Sequence, residues 1–245
     1  VGPHKNGGIG THCYALCHLL NGHECTLLFT EHESPGTRQD WKEPYIKNGI
    51  RVLTAENLPI ADPWATKAGF ECSFLKKSRR IAEYLQREQF DLVHFQDWKA
   101  NGFHSIRLRR TGLALQNSQL LVTLHSPSKW IRQGMEQPFE DALAEMQLDF
   151  AERYCCEHAD RLIAPTQHML DWAAEQGWRI KAQSQVLPYP FRPKSAPEHV
   201  KPIDASHVIF FGRLETRKGL GIFLDGLRQY LAETTDCPLR QVSFL

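Results

Sequence analysis

Two hundred and forty-five residues, 42% hydrophobic and 23% charged, fit one large globular domain or one and a half ordinary ones. They exclude a disordered tail, a fibrous repeat and a membrane-embedded chain, since no window approaches the ~18 consecutive apolar residues of a spanning helix. Lys and Arg number 29 against 28 acids, a net charge of +1, whereas a protein built to grip a nucleic-acid backbone carries a basic excess.

The chain opens on a glycine-rich loop, Lys5-Asn6-Gly7-Gly8-Ile9-Gly10, feeding a helix with Ile9, Cys13, Leu16, Cys17 and Leu20 on one face. Asn21-Gly22 supplies its stop. Such a loop normally follows a strand, so a first strand is expected upstream of Val1. Strands are then predicted over 24–30, 50–54, 91–95, 120–125, 161–164 and 185–187. Between them, Phe74, Ser78, Ile81 and Leu85 mark the inward stripe of a helix. A long helix is predicted over about 138–157 and another over 166–176, capped by Thr166. This alternation predicts an α/β fold, a parallel Rossmann-like sheet flanked by helices. The run LLVTL implies a strand buried on both faces.

Five prolines between 188 and 202 break the rhythm and mark 188–204 as a linker. Residues 1–187 then form the first domain. A strand over 207–211, a helix over 217–232 and an apolar run over 242–245 follow. One βαβ unit is too small to bury a core of its own. Residues 205–245 are therefore expected to begin a second domain that continues past Leu245, and a homo-oligomer is one way to cover its apolar surface.

Seven irregularly spaced cysteines and the absence of any N-x-S/T sequon point to reduced thiols in a cytoplasm. Cys155-Cys156 beside His158 lacks C-x₂-C spacing, so structural thiols and no metal are expected there.

Three places carry chemistry. The glycines of Lys5–Gly10 let backbone N–H groups approach a phosphate or sugar at a helix start, although a ligand-free turn explains them equally. His125, in Thr123-Leu124-His125-Ser126-Pro127, follows a buried strand into the crevice where open α/β sheets bind ligands. Asp97-Trp98 leaves the preceding strand and is expected to open toward the same crevice. His94 reads as core, and the other ten histidines show no constellation. Finally, Val208–Gly219 places Arg213 and Lys218 on a loop entering a helix, a candidate anion grip for a diphosphate. The basic clusters Lys76-Lys77, Arg79-Arg80 and Arg107 with Arg109-Arg110 read as solvated helix faces rather than a nucleic-acid surface.

These pieces, in this order, resemble the retaining glycosyltransferases of family 4, nearest the glycogen- and starch-synthase-like branch. The matching motifs are G-G-[IV]-G at Gly7–Gly10, D-x-[VI]-H at Asp91–His94 with Asp97-Trp98, T-x-H at Thr123–His125, the segment 159–166 with Thr166 in place of serine, and G-R-L-x₃-K-G at Gly212–Gly219. The resemblance implies two facing Rossmann-like domains (a GT-B fold) and transfer of a sugar from a nucleotide-diphosphate donor to a hydroxyl acceptor with retention. It implies that Arg213 and Lys218 neutralise the leaving diphosphate, that Gly7, Gly8 and Gly10 bring backbone donors to it, and that His125 contacts the donor sugar. Lys5 is expected to touch phosphate or acceptor, and Asp97 and Trp98 are the acceptor-side candidates. No cofactor or metal is implied, the nucleotide sugar being a substrate. The family's pair of glutamates separated by seven residues is missing, so this chain is expected to transfer sugar poorly or not at all. A nucleotide-sugar 2-epimerase and a non-catalytic sugar-binding module are the alternatives.

Overall fold

Leu120 and Val122 on one face and Thr123 on the other are each at most 2% exposed, which requires cover on both faces of the strand that carries them. A computed structural model shows what supplies it, describing residues 7–20, 22–31, 39–58, 73–138, 142–181, 183–190 and 206–245. Lys5 and most of the proline-rich segment, 191–204, lie outside the described residues.

The elements run α1 (Gly8–Leu19), β1 (Thr26–Phe29), α2 (Glu43–Ile46), β2 (Arg51–Thr54) and α3 (Ser73–Arg87). Next come β3 (Leu92–Gln96), α4 (Phe103–Arg110), β4 (Gln119–Thr123), α5 (Ser128–Gly134) and α6 (Leu143–His158). The chain continues through β5 (Arg161–Ala164), α7 (Gln167–Glu175), β6 (Gln185–Val186), β7 (His207–Phe210), α8 (Leu220–Glu233) and β8 (Gln241–Phe244). All strand pairs are parallel. With helices between successive strands, the fold is α/β with Rossmann-like parallel sheets.

Contacts divide the chain into two units. The larger holds Val1–Ser128 and Asp141–Arg192, the smaller Lys129–Glu140 and Pro193–Leu245. In the larger, β3-β4-β5-β6 form one sheet in sequence order and β1-β2 a second. Ser78, Ile81, Ala82, Tyr84 and Leu85 of α3 are buried, the spacing of one helical stripe. Trp41, Tyr45 and Ile50 form the core beside β1-β2, joined by Tyr14 and Cys17 of α1. In the smaller unit β7 pairs with β8, and α8 buries no side chain fully.

Several expectations shift. The first helix starts at Gly8, not after Gly10: the Thr11 N–H donates to the Gly7 carbonyl at 3.2 Å, and glycine can adopt helical angles. The long helix begins at Leu143, five residues later than its apolar pattern suggests. Thr166 holds the N-cap position of α7 with extended backbone, yet its hydroxyl makes no cap bond. Helix α5, seven residues long, is too short for an apolar period to announce it, and α4 shows in the sequence only through its basic face at Arg107, Arg109 and Arg110.

Candidate functional site

Register assembles the site. Gln96 lies opposite Thr123, and Thr123 opposite Ile163, so β3, β4 and β5 end together. The ladder continues one step beyond: the Asp97 N–H donates to the Thr123 carbonyl at 3.0 Å and the Leu124 N–H to the Ile163 carbonyl at 2.8 Å. Beyond β6, the Leu187 N–H reaches the Ala164 carbonyl at 2.9 Å. Asp97, His125 and Tyr189 therefore emerge from one carboxyl edge of the sheet, where open α/β folds bind ligands.

His125 is 5% exposed. Its Nε2 meets the amide oxygen of Gln96, which can only accept, so Nε2 carries the proton. Nδ1 then accepts from the Tyr189 hydroxyl at 2.6 Å, with the two rings stacked at 5.3 Å. Burial pulls the imidazole down to about 3, and neighbouring His12 and His94 add to the effect. At neutral pH it is a neutral hydrogen-bonding ring, both of whose nitrogens are engaged.

The histidines do form a constellation, contrary to expectation. His94 is half-buried rather than core, with Nε2 2.6 Å from the Thr123 hydroxyl. Burial, then His12, lower it to about 4. His12, on the first turns of α1, sets its ring 5.0 Å from His125, 5.0 Å from Tyr189 and 6.3 Å from His94. Its position four residues after Gly8, on the helix face that Gly8 begins, was the available signal.

Asp97 does not open toward the crevice. Its side chain is fully buried: Oδ1 accepts the Trp98 N–H at 2.9 Å, and Oδ2 accepts those of His125 at 3.0 Å and Ser126 at 2.9 Å. Those donors favour the carboxylate, but burial outweighs them and lifts it to about 7. The residue thus ties the two strand-end loops together, and Trp98 alone of the pair stays partly exposed.

Glu152, from the inner face of α6, does the same one step outward. Its Oε1 accepts the Lys99 N–H at 3.0 Å and the Ser128 hydroxyl at 2.9 Å, and Oε2 accepts the Ser128 N–H at 2.7 Å. Burial, then the Asp97 charge, raise it to about 8. A glutamate three and four residues before the buried Cys155 and Cys156 stands on the apolar stripe, and that was its signal in the sequence. The loop so held is strained: Lys99 and Ala100 have φ of 58° and 47°. The Lys99 ammonium lies 3.1 Å from Glu31 and 5.9 Å from the Trp98 ring centroid.

The expected thiols of Cys155 and Cys156 are buried and free, their pKa values raised by burial. Among the described residues no group of three or more His, Cys, Asp or Glu could hold a metal ion. Among them too, no helix is long and apolar enough to cross a membrane. Part of the basic surface is spent inside the chain: Lys77 meets Glu31 at 3.4 Å, and Arg109 pairs with Asp160 at 2.8 Å.

In the smaller unit, β7 ends at Phe210, and Gly212 and Gly219 take φ of 153° and 76°, angles that favour glycine. Arg213 and Lys218 are exposed on the loop between them. Among the described residues Arg213 pairs with Glu215 at 3.4 Å, with its side chain 69% exposed. Arg217 is instead turned inward, 2.8 Å from Glu215 and 5.9 Å from the Trp130 ring centroid.

The sequence profile described as a glycosyl transferase 4-like domain matches residues 7–190. The chain belongs to the glycosyl transferase 4-like family. The match contains the histidines, Asp97, Trp98 and Glu152, and ends before Arg213 and Lys218. No curated protein matches the chain. Among solved structures it is similar to one described as the glycotransferase of kitacinnamycin, at 11% identity with a TM-score of 0.42. That likeness covers 94% of this chain but only 60% of the other.

Proposed function

We propose that this member of the glycosyl transferase 4-like family acts in retaining transfer of a sugar from a nucleotide-diphosphate donor to a hydroxyl acceptor. The observation that carries the reading is His125. It is a neutral, sheltered imidazole at the carboxyl edge of a parallel sheet, beside a helix that opens on bare glycine backbone. Nothing lies within 4 Å of where a Cβ would stand on Gly7 or Gly8, so no described neighbour demands glycine there. In this reading the open space leaves the first N–H groups of α1 to a ligand.

In this reading Gly7, Gly8 and Gly10 present backbone donors to the diphosphate, and Lys5 touches phosphate or acceptor. Trp98 faces the acceptor, with Asp97 positioning the loops rather than binding. His125 meets a donor-sugar hydroxyl by exchanging one of its two present partners. Arg213 and Lys218 stabilise charge developing on the leaving diphosphate. The bond from the anomeric carbon to the diphosphate oxygen breaks, and the acceptor oxygen bonds to that carbon on the same face. The acceptor's proton passes to the departing phosphate oxygen. No protein nucleophile is required. Residues 1–187 are taken as the acceptor-side domain and 205–245 as donor-side, and the cell compartment as cytoplasm.

The test is calorimetric titration with UDP-glucose, ADP-glucose and GDP-mannose, followed by NMR of any glycoside formed. One donor should bind, Arg213→Ala and Lys218→Ala should each weaken it about tenfold or more, and the product should keep the donor's anomeric configuration. Epimerised donor formed without acceptor overturns the reading in favour of an isomerase.

A further inference from the structure

Among the described residues at this carboxyl edge, His12 keeps both ring nitrogens without a hydrogen-bond partner. His125 has both nitrogens engaged, by Gln96 and Tyr189, and the Nε2 of His94 is held by Thr123. Both ring nitrogens of His12 are sealed from solvent and have no hydrogen-bond partner among the described residues. Sealing a polar atom without a partner costs free energy, and a site with two such atoms on one ring calls for an occupant.

The surroundings narrow the chemistry of that occupant. His12 faces His94 of β3, His125 beyond β4 and Tyr189 beyond β6, with ring centroids 5.0 to 6.3 Å away. The buried carboxylate of Asp97 is already bonded to three backbone amides, those of Trp98, His125 and Ser126. Cys13 stands next to His12 on α1 with its thiol pushed up to about 11, so it brings no charge at neutral pH. Burial lowers the pKa of His12 itself, which keeps the ring neutral. A neutral imidazole has one donor and one acceptor and no charge to offer a phosphate. Hydroxyl groups, each able to donate and accept, complement it.

We propose that His12 is a binding residue for the donor sugar, its imidazole donating through one nitrogen and accepting through the other to sugar hydroxyls. The inference rests on the glycosyl-transfer reading, and adds a residue that the motif left unassigned. It places recognition of the sugar, as opposed to its diphosphate, on the helix that the glycine loop starts.

The test compares each nucleotide sugar with its own nucleoside diphosphate, UDP-glucose with UDP, ADP-glucose with ADP and GDP-mannose with GDP, on the full chain. Wild type should bind one sugar donor at least tenfold tighter than its diphosphate. In His12→Phe that increment should vanish with diphosphate affinity unchanged, while the thermal midpoint stays level or rises because two orphaned nitrogens are gone. His12→Asn, which restores one donor and one acceptor, should recover part of the increment. A His12→Phe protein that melts earlier yet keeps the full increment assigns the ring a packing role and overturns the inference. Diphosphate binding without any sugar increment in wild type overturns it as well, leaving glycosyl transfer standing. No binding of any probe removes the glycosyl-transfer reading, and this inference with it.

Discussion

The carboxylate of Asp97 is bonded to the backbone amide of His125, Oδ2 to N at 3.0 Å, across 28 residues of sequence. A strand end that carries a candidate binding imidazole is thereby fixed by a neighbouring strand end, not by its own loop. Asp97→Asn keeps the shape but turns an amide N–H₂ toward backbone donors. One or two buried N–H groups lose their acceptor, at a cost of about 1–3 kcal/mol each. Urea unfolding should show a loss of that order, and the His125 imidazole resonances should shift.

Glu152 and Ser128 provide the second clamp. Glu152→Gln leaves one of the Ser128 donors facing an amide N–H₂, and Ser128→Ala removes the hydroxyl bond of 2.9 Å. Each single change should destabilise by about 1–3 kcal/mol, and the pair by less than the sum, because both remove the same contact. An additive double-mutant cycle would show that the two groups act separately.

The buried ionisable groups give opposite pH dependences. His94 and His125 have folded values of about 4 and 3, below the ordinary 6.5, so their contribution is complete above pH 6.5. It is lost as the pH falls from there toward those values, by at most about 1.4 kcal/mol per pH unit for each ring. Asp97 and Glu152, raised to about 7 and 8, contribute fully below their ordinary values and lose that contribution as the pH rises through the folded ones. Between pH 7 and 5, His94→Leu should therefore lose less stability on acidification than wild type. Urea midpoints at the two pH values check the sign.

Gly102 is required by space, not by backbone angle. A Cβ there would stand 2.8 Å from Phe95 Cγ and 3.3 Å from the Ile106 methyl, against a phenyl ring only 7% exposed. Gly102→Ala should cost about 1–3 kcal/mol through overpacking. With Phe95→Ala, which removes that Cγ, the double variant should lose less than the sum of the two single losses, which thermal unfolding would register.

Much of this was legible in one dimension. Alternating β-rich runs and amphipathic stretches announce the parallel α/β fold, and the strand-end rule singles out Asp97 and His125. Their functions were not legible to the same degree. Whether Asp97 faces a ligand or a backbone depends on how β3 registers with β4, which no local pattern encodes. The partners of His125 are likewise remote, with Tyr189 lying 64 residues along the chain. Glu152 is 53 residues from the Lys99 amide it holds.

The sequence by itself determined the class of fold and the residues that stand at strand ends, because periodicity and strand burial are local properties of the chain. The tertiary structure decided which of those residues are spent on the protein and which remain open. It buried Asp97 among amides, engaged both nitrogens of His125 and, among the described residues, left those of His12 without partners. Hydrogen-bond satisfaction is a property of neighbours in space, and parallel strands bring together neighbours that their crossovers keep far apart in sequence.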